Sequence, residues 1–172
     1  MTVRVHVCAT IDASPAITWS AIEHIRSHVD WMADAEVIRI TSATSQGVGT
    51  EFECDTRIGP LRVTDRMSIT EWRPGEAMGV DHRGVVTGSG RFVLAPLAGG
   101  RTSFCWDERI RLPLWMGGPV GERAAAPLLT RLWQGNLGRL KRIVESTGNG
   151  APPRRDPGAV VTSPPIQSGV RS

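Results

Sequence analysis

Residues 119–145 read PVGERAAAPLLTRLWQGNLGRLKRIVE, and their spacing decides the fold. Leu128, Leu129, Leu132, Trp133, Asn136, Leu137, Leu140, Ile143 and Val144 recur three and four residues apart, a broad apolar stripe on one helix. Arg131, Arg139 and Lys141 fall on the other side. Pro127 is expected to kink or restart this helix. Gly135 and Gly138 either weaken it or let its backbone approach a neighbour. Everything before it is mostly strand. Val3, Val5, Val7, Ala9 and Ile11 alternate with polar residues, a first strand with one apolar face. Ser14-Pro15 starts a short helix with Ser14 as N-cap. His28 to Ala33 reads as a second helical turn or loop. Strand patterns then follow around residues 35–41, 51–55, 61–69, 78–82, 86–94 and 102–110, with turns at Gly47-Val48-Gly49, Gly59-Pro60, Arg73-Pro74-Gly75-Glu76 and Ala98-Gly99-Gly100. The expected class is α+β: a curved antiparallel sheet of about seven strands closed by the long helix.

Composition narrows the function classes. The 172 residues allow one domain with a substantial core. The net charge is +3, of which Arg154, Arg155 and Arg171 against Asp156 leave +2 in the tail. No basic stripe remains to support nucleic-acid binding. Lys141 is the only lysine, a bias we attribute to base composition of the genome. Cys8, Cys54 and Cys105 are odd in number, scattered and without a CxxC pair, which argues against a disulfide framework and against zinc, and for small buried or half-buried hydrophobes in a reducing compartment. No signal peptide and no run of about 20 apolar residues is visible, so a cytoplasmic protein without integral membrane association is expected. Residues 1–146 form the expected domain, and 147–172, rich in Pro, Gly, Ser and Arg, a disordered tail.

Several short stretches in fixed order resemble one family. They are Ile11-Asp12-Ala13-Ser14-Pro15 followed by Trp19, then His28-Val29-Asp30-Trp31 and Gly47-Val48-Gly49-Thr50. Ile69 to Gly75 (ITEWRPG) and Leu140 to Glu145 (LKRIVE) complete the set. Together they span most of residues 3–146. The chain resembles the START-related SRPBCC superfamily, in the branch of polyketide cyclases/dehydrases and lipid transport. The resemblance implies a helix-grip fold: a sheet wrapped around the C-terminal helix, with two short helices after the first strand. It also implies a pocket between sheet and helix. None of these stretches is a catalytic motif, and the scaffold hosts binders, cyclases and interaction modules alike.

By strand parity the pocket should be lined by Phe52, Met67, Ile69, Val80, His82, Phe92, Phe104, Trp106 and Glu108, with Leu129, Trp133, Asn136 and Leu140 from the helix. A filled core would show the same pattern. Glu108 follows Phe104 and Trp106 in strict alternation and should point inward, as a general acid or base, as a ligand partner, at a wet strand end, or paired with an Arg. His82 could pair with it or sit half exposed near the turn. Asp65 shares the apolar parity, but nearby Arg62 and Arg66 suggest a structural charge. The loop from Pro113 to Pro119, with Trp115 and Met116, is a candidate gate. His24 and His28 have helical metal-pair spacing but no further ligand, and read as surface residues. There is no GxSxG elbow, and Gly88-Ser89-Gly90 lacks the lysine of a phosphate loop.

The expected function is binding or transport of a small hydrophobic or aromatic molecule of lipid, polyketide or isoprenoid type, without cofactor or metal. The alternatives are an aromatase/cyclase using Glu108 and His82, and a protein-interaction module with a filled core. A monomer and a homodimer are equally compatible with the sequence.

Overall fold

A computed structural model describes residues 2–113 and 118–148. Strand β1 (Val3–Ile11) buries Val3, Val5, Val7 and Ile11 on one face, the period of two that the sequence carries. Ser14 Oγ accepts from Ile17 N at 3.4 Å and caps the short helix α1 (Pro15–Ser20). A single 3-10 helix follows (Ile25–Asp30). Then come β2 (Ala35–Ile40), β3 (Glu51–Ile58), β4 (Leu61–Arg73), β5 (Ala77–Arg83), β6 (Thr87–Leu97) and β7 (Arg101–Arg111). Gly99 and Gly100, at φ 78° and 71°, supply the two left-handed residues that the tight β6–β7 turn needs.

The seven strands form one antiparallel sheet in the order β1-β7-β6-β5-β4-β3-β2. Consecutive strands are neighbours except at one place: β1 and β2 lie on opposite edges. The chain between them must therefore cross the sheet. It does so over the inner face, carrying α1, the 3-10 helix, Trp19 and Trp31 into the core at 4 % and 1 % exposure. Trp19 meets Trp72 edge-on at 5.3 Å, fixing the first part of the crossing to β4.

Helix α2 (Gly118–Gly148) completes the helix-grip arrangement and ends two residues beyond the expected domain limit. It packs chiefly against β1. Leu129, Trp133, Leu137, Leu140 and Val144 are buried, whereas Leu128 and Ile143 are exposed, so the buried stripe is narrower than the sequence suggests. Lys141 Nζ donates to Thr10 O at 2.6 Å and Asp12 N to Glu145 Oε1 at 2.8 Å, which pins the last turns to the end of β1. Pro127 lies inside a continuous helix and does not restart it. A Cβ added at Gly135 or Gly138 would meet only an arginine side chain at 3.9 Å, so neither glycine serves a close approach. Among the described residues no helix is long and apolar enough to cross a membrane. The tail from 149 onward lies outside the described residues.

The cysteine reading needs correction. Cys8 and Cys105 stand directly opposite each other in the β1–β7 register and form a disulfide. Cys8 is exposed and only Cys54 is a buried free thiol. A separation of 97 residues hides the pair in the sequence, because nothing local says that first and last strands are neighbours. The argument for a reducing compartment falls with it.

Candidate functional site

The inner face of the sheet carries a cavity of about 110 Å³. Its floor is Phe52, Met67, Ile69 and Val80 from β3–β5, with Phe92 and Trp106 from β6 and β7. Trp133 is the contribution of α2, stacked on Trp106 at 5.0 Å and 27°. The rest of the roof comes from the crossing segment: Ile25, His28, Met32 and Asp34. Four residues expected on the wall do not reach it. Phe104 and Leu140 are fully buried in the core, Leu129 packs there with them, and Asn136 acts as a tie. Asn136 Oδ1 accepts from Ala33 N at 3.0 Å and its Nδ2 donates to Asp34 Oδ1 at 2.7 Å, holding the roof to the helix. The hollow therefore lies beside α2, under the 3-10 helix, because α2 spends its apolar face on β1. Trp115 and Met116 lie outside the described residues.

One corner of this apolar chamber is charged. His82 Nδ1 stands 2.6 Å from Asp65 Oδ2 and its Nε2 2.6 Å from Glu108 Oε1. Trp106 Nε1 donates to Glu108 Oε2 at 2.7 Å. Asp65 and Glu108 are 3 % and 4 % exposed. Glu108 thus sits neither at a wet strand end nor beside an arginine. Asp65 is not partnered by its arginine neighbours: Arg66 turns outward to Glu53 and Arg62 to Glu36, while Asp65 faces in toward the imidazole. Parity alone separates them, since an i±1 neighbour on a strand points to the opposite face.

His82 is on β5 and Glu108 on β7, with β6 between them. Neighbouring strands are about 4.8 Å apart, so a side chain on β6 would block the contact. The residue opposite Glu108 on β6 is Gly90, and a Cβ there would come within 2.5 Å of Glu108 Oε2. Gly84 plays the same part for Asp65, whose Oδ1 occupies the space of its missing side chain. Both carboxylates are seated in niches that glycines leave open.

Burial is the largest single influence on His82 and disfavours a charged ring. The hydrogen bonds to Asp65 and Glu108, with the attraction of both carboxylates, outweigh it and push His82 up to about 10. Both ring nitrogens therefore donate. Three N–H donors, two from His82 and one from Trp106, meet the four oxygens of Asp65 and Glu108, and Asp65 Oδ1 is left without a partner. The corner can hold a proton, donate one, or accept a hydrogen bond from a guest.

His28 is the opposite case, and its surface reading is wrong. It is 6 % exposed and its Nε2 donates to Ile22 O at 2.7 Å. Burial pulls it down to about 4, with the bond to Ile22 opposing, so the ring is neutral. It packs 5.2 Å from Trp31 and 5.9 Å from Phe92 as part of the roof. Its inward placement carries no local signal, because a 3-10 turn has no apolar period to read.

The family profile described as polyketide cyclase / dehydrase and lipid transport matches residues 2–145. No curated protein sequence matches the chain. Among solved structures, the Zhui aromatase/cyclase from Streptomyces sp. R1128 superposes with TM-score 0.73 at 14 % identity, over 87 % of this chain and 98 % of that one. A protein from Thermus thermophilus gives 0.68 at 15 %, over 84 % and 98 %. A START superfamily protein from Mycobacterium smegmatis gives 0.66 at 15 %, over 81 % and 98 %. At such identities these likenesses establish the fold.

Proposed function

The chain belongs to the polyketide cyclase/dehydrase and lipid-transport family, within the START-like superfamily, and from that premise we propose that its cavity binds a small, mostly apolar molecule with one polar end. The observation that carries this reading is the combination of an apolar chamber with a single buried charged corner, His82 and Glu108, on its wall. Binding sites join apolar walls to a few orienting polar groups in this way. The guest's hydroxyl, amine or carbonyl would meet His82 and Glu108.

Size limits the guest. A cavity of about 150 Å³ suffices for benzene, and drug-sized sites start at about 300 Å³. The chamber of about 110 Å³ fits at most one ring, and that after some adjustment. Met32, Met67 and Met78 on its wall can adjust, since methionine repacks at little cost. A single-ring compound is favoured over an extended lipid or poly-keto chain, which would require the roof to lift.

A second reading, an aromatase/cyclase, is supported by the proton that His82 holds between two carboxylates. Such a corner supplies the acid that a cyclisation or dehydration needs. Native mass spectrometry of the purified chain tests the first reading. A co-purified small molecule is expected, and Val80→Phe, which fills the chamber, should weaken its binding at least tenfold with the circular dichroism spectrum unchanged. Retention of the guest in that variant would remove the cavity from the argument. Glu108→Gln then separates the readings: a carrier keeps most of its affinity, whereas an enzyme binds and no longer turns over.

A further inference from the structure

The outer face of β1 and β7 carries a second cluster that the cavity does not explain. His6 and Cys8 alternate on β1, and Cys105 and Asp107 on β7. The register pairs Cys8 with Cys105 and His6 with Asp107, so the four side chains fill two successive rungs of one face. His6 Nδ1 is 2.6 Å from Asp107 Oδ1, and His6 Nε2 is 3.2 Å from Cys8 Sγ. The donor atoms of His6, Cys8 and Cys105 all lie within 4.8 Å of one another.

A disulfide accounts for the two cysteines but not for the imidazole. Asp107 fixes the tautomer that carries its proton on Nδ1, which leaves the Nε2 lone pair aimed at Cys8 Sγ. In the disulfide that sulfur has no hydrogen to donate. Two thiolates, an imidazole nitrogen and a carboxylate behind the imidazole make up a familiar donor set for a soft divalent cation.

We propose that the reduced form of this face is a three-ligand site for a thiophilic divalent cation such as Zn²⁺, held by His6 Nε2, Cys8 Sγ and Cys105 Sγ, with Asp107 as a positioning residue for His6. A thiol or phosphine reductant breaks the sulfur–sulfur bond, and each cysteine takes up one electron and one proton while the reductant is oxidised. The cation then displaces the two thiol protons and accepts the Nε2 lone pair. The Nδ1 proton stays in place, donated to Asp107. Zinc–sulfur bonds of about 2.3 Å require the sulfurs to part to roughly 3.7 Å, which side-chain rotation on an exposed strand face permits. The fourth position faces solvent and takes water. A small-molecule disulfide takes the two electrons back from the Cys8 and Cys105 thiolates and leaves as two thiolates, which restores the protein disulfide and expels the cation, so occupancy follows the redox state.

Co²⁺ titration of the full chain, reduced with a phosphine and kept under argon, tests this. One equivalent should develop a sulfur-to-cobalt charge-transfer absorption that Zn²⁺ abolishes, and the oxidised chain should show none. Cys8→Ser, Cys105→Ser and His6→Ala should each weaken binding at least tenfold. Asp107→Asn should weaken it by about 10–100-fold, as loss of such a partner does elsewhere. Cys54→Ser, which changes the buried thiol, should leave the titration unchanged. No absorption in the reduced chain, equal binding by the oxidised chain, unaltered binding in His6→Ala, or loss of the signal in Cys54→Ser would each overturn the assignment.

Discussion

His6 and His82 each stand 2.6 Å from an aspartate, on opposite faces of the same sheet. On the outer face the side chains of His6 and Asp107 are 62 % and 49 % exposed; on the inner face those of His82 and Asp65 are 13 % and 5 % exposed. The distance is the same and the physics is not. Water screens the outer pair and competes for both partners, so their contact adds little to stability and leaves His6 free to serve another atom. The inner pair has no solvent to fall back on. Separating it would strand charge in an apolar chamber, so His82 is fixed as a proton carrier. Position on the sheet, rather than contact geometry, decides what a histidine–aspartate pair does.

The largest expected effect breaks the inner pair. His82→Leu should destabilise the fold by about 3–5 kcal/mol in urea titration, because it leaves two buried carboxylates without a cation. His6→Ala should leave the same urea midpoint unmoved. A comparable loss in both variants would sink the contrast. The pH dependence comes next. The pKa of His82 is raised from 6.5 to about 10, so its stabilisation is complete below about 6.5 and is lost as the pH rises through about 10. The pKa of His28 is lowered from 6.5 to about 4, so its contribution is present above about 6.5 and is lost as the pH falls toward 4. The thermal midpoint should therefore fall on both sides of a maximum near pH 6.5, and His82→Leu should flatten only the alkaline limb.

Smaller changes sharpen the picture. Gly90→Ala should cost about 1–3 kcal/mol, since its Cβ crowds the Glu108 carboxylate away from His82. The His82 titration followed by NMR should move downward with it; an unmoved titration would show that the glycine niche is incidental. Gly135→Ala, on the exposed side of α2, should raise stability by about 0.5–1 kcal/mol through helix propensity alone. A loss there would mean that the glycine serves a contact the structure does not contain.

Much of the chamber floor was legible in the chain. Phe52, Met67, Ile69, Val80, His82, Phe92, Trp106 and Glu108 line it as parity indicated, because alternation on a strand is a local property. Asp65 has the right parity too, and only its arginine neighbours in sequence obscure its inward placement. Phe104, Leu129, Asn136 and Leu140 mark the limit of what parity encodes. Their inward face is correct, but whether an inward residue meets the hollow or the core depends on where α2 settles. His28 and the Cys8–Cys105 pair lay further out of reach, since their partners come from the crossing of the sheet and from a strand at the other end of the chain.

Alternating and helical periods, with turn residues between them, were enough to determine seven strands, a closing helix and the face each side chain takes, for these depend on neighbours a few positions away. Strand order, the roof of the chamber and the seating of His82 between two carboxylates were settled by the tertiary structure. Each brings together groups that are remote along the chain, and only the burial of one face against another decides which of them meet.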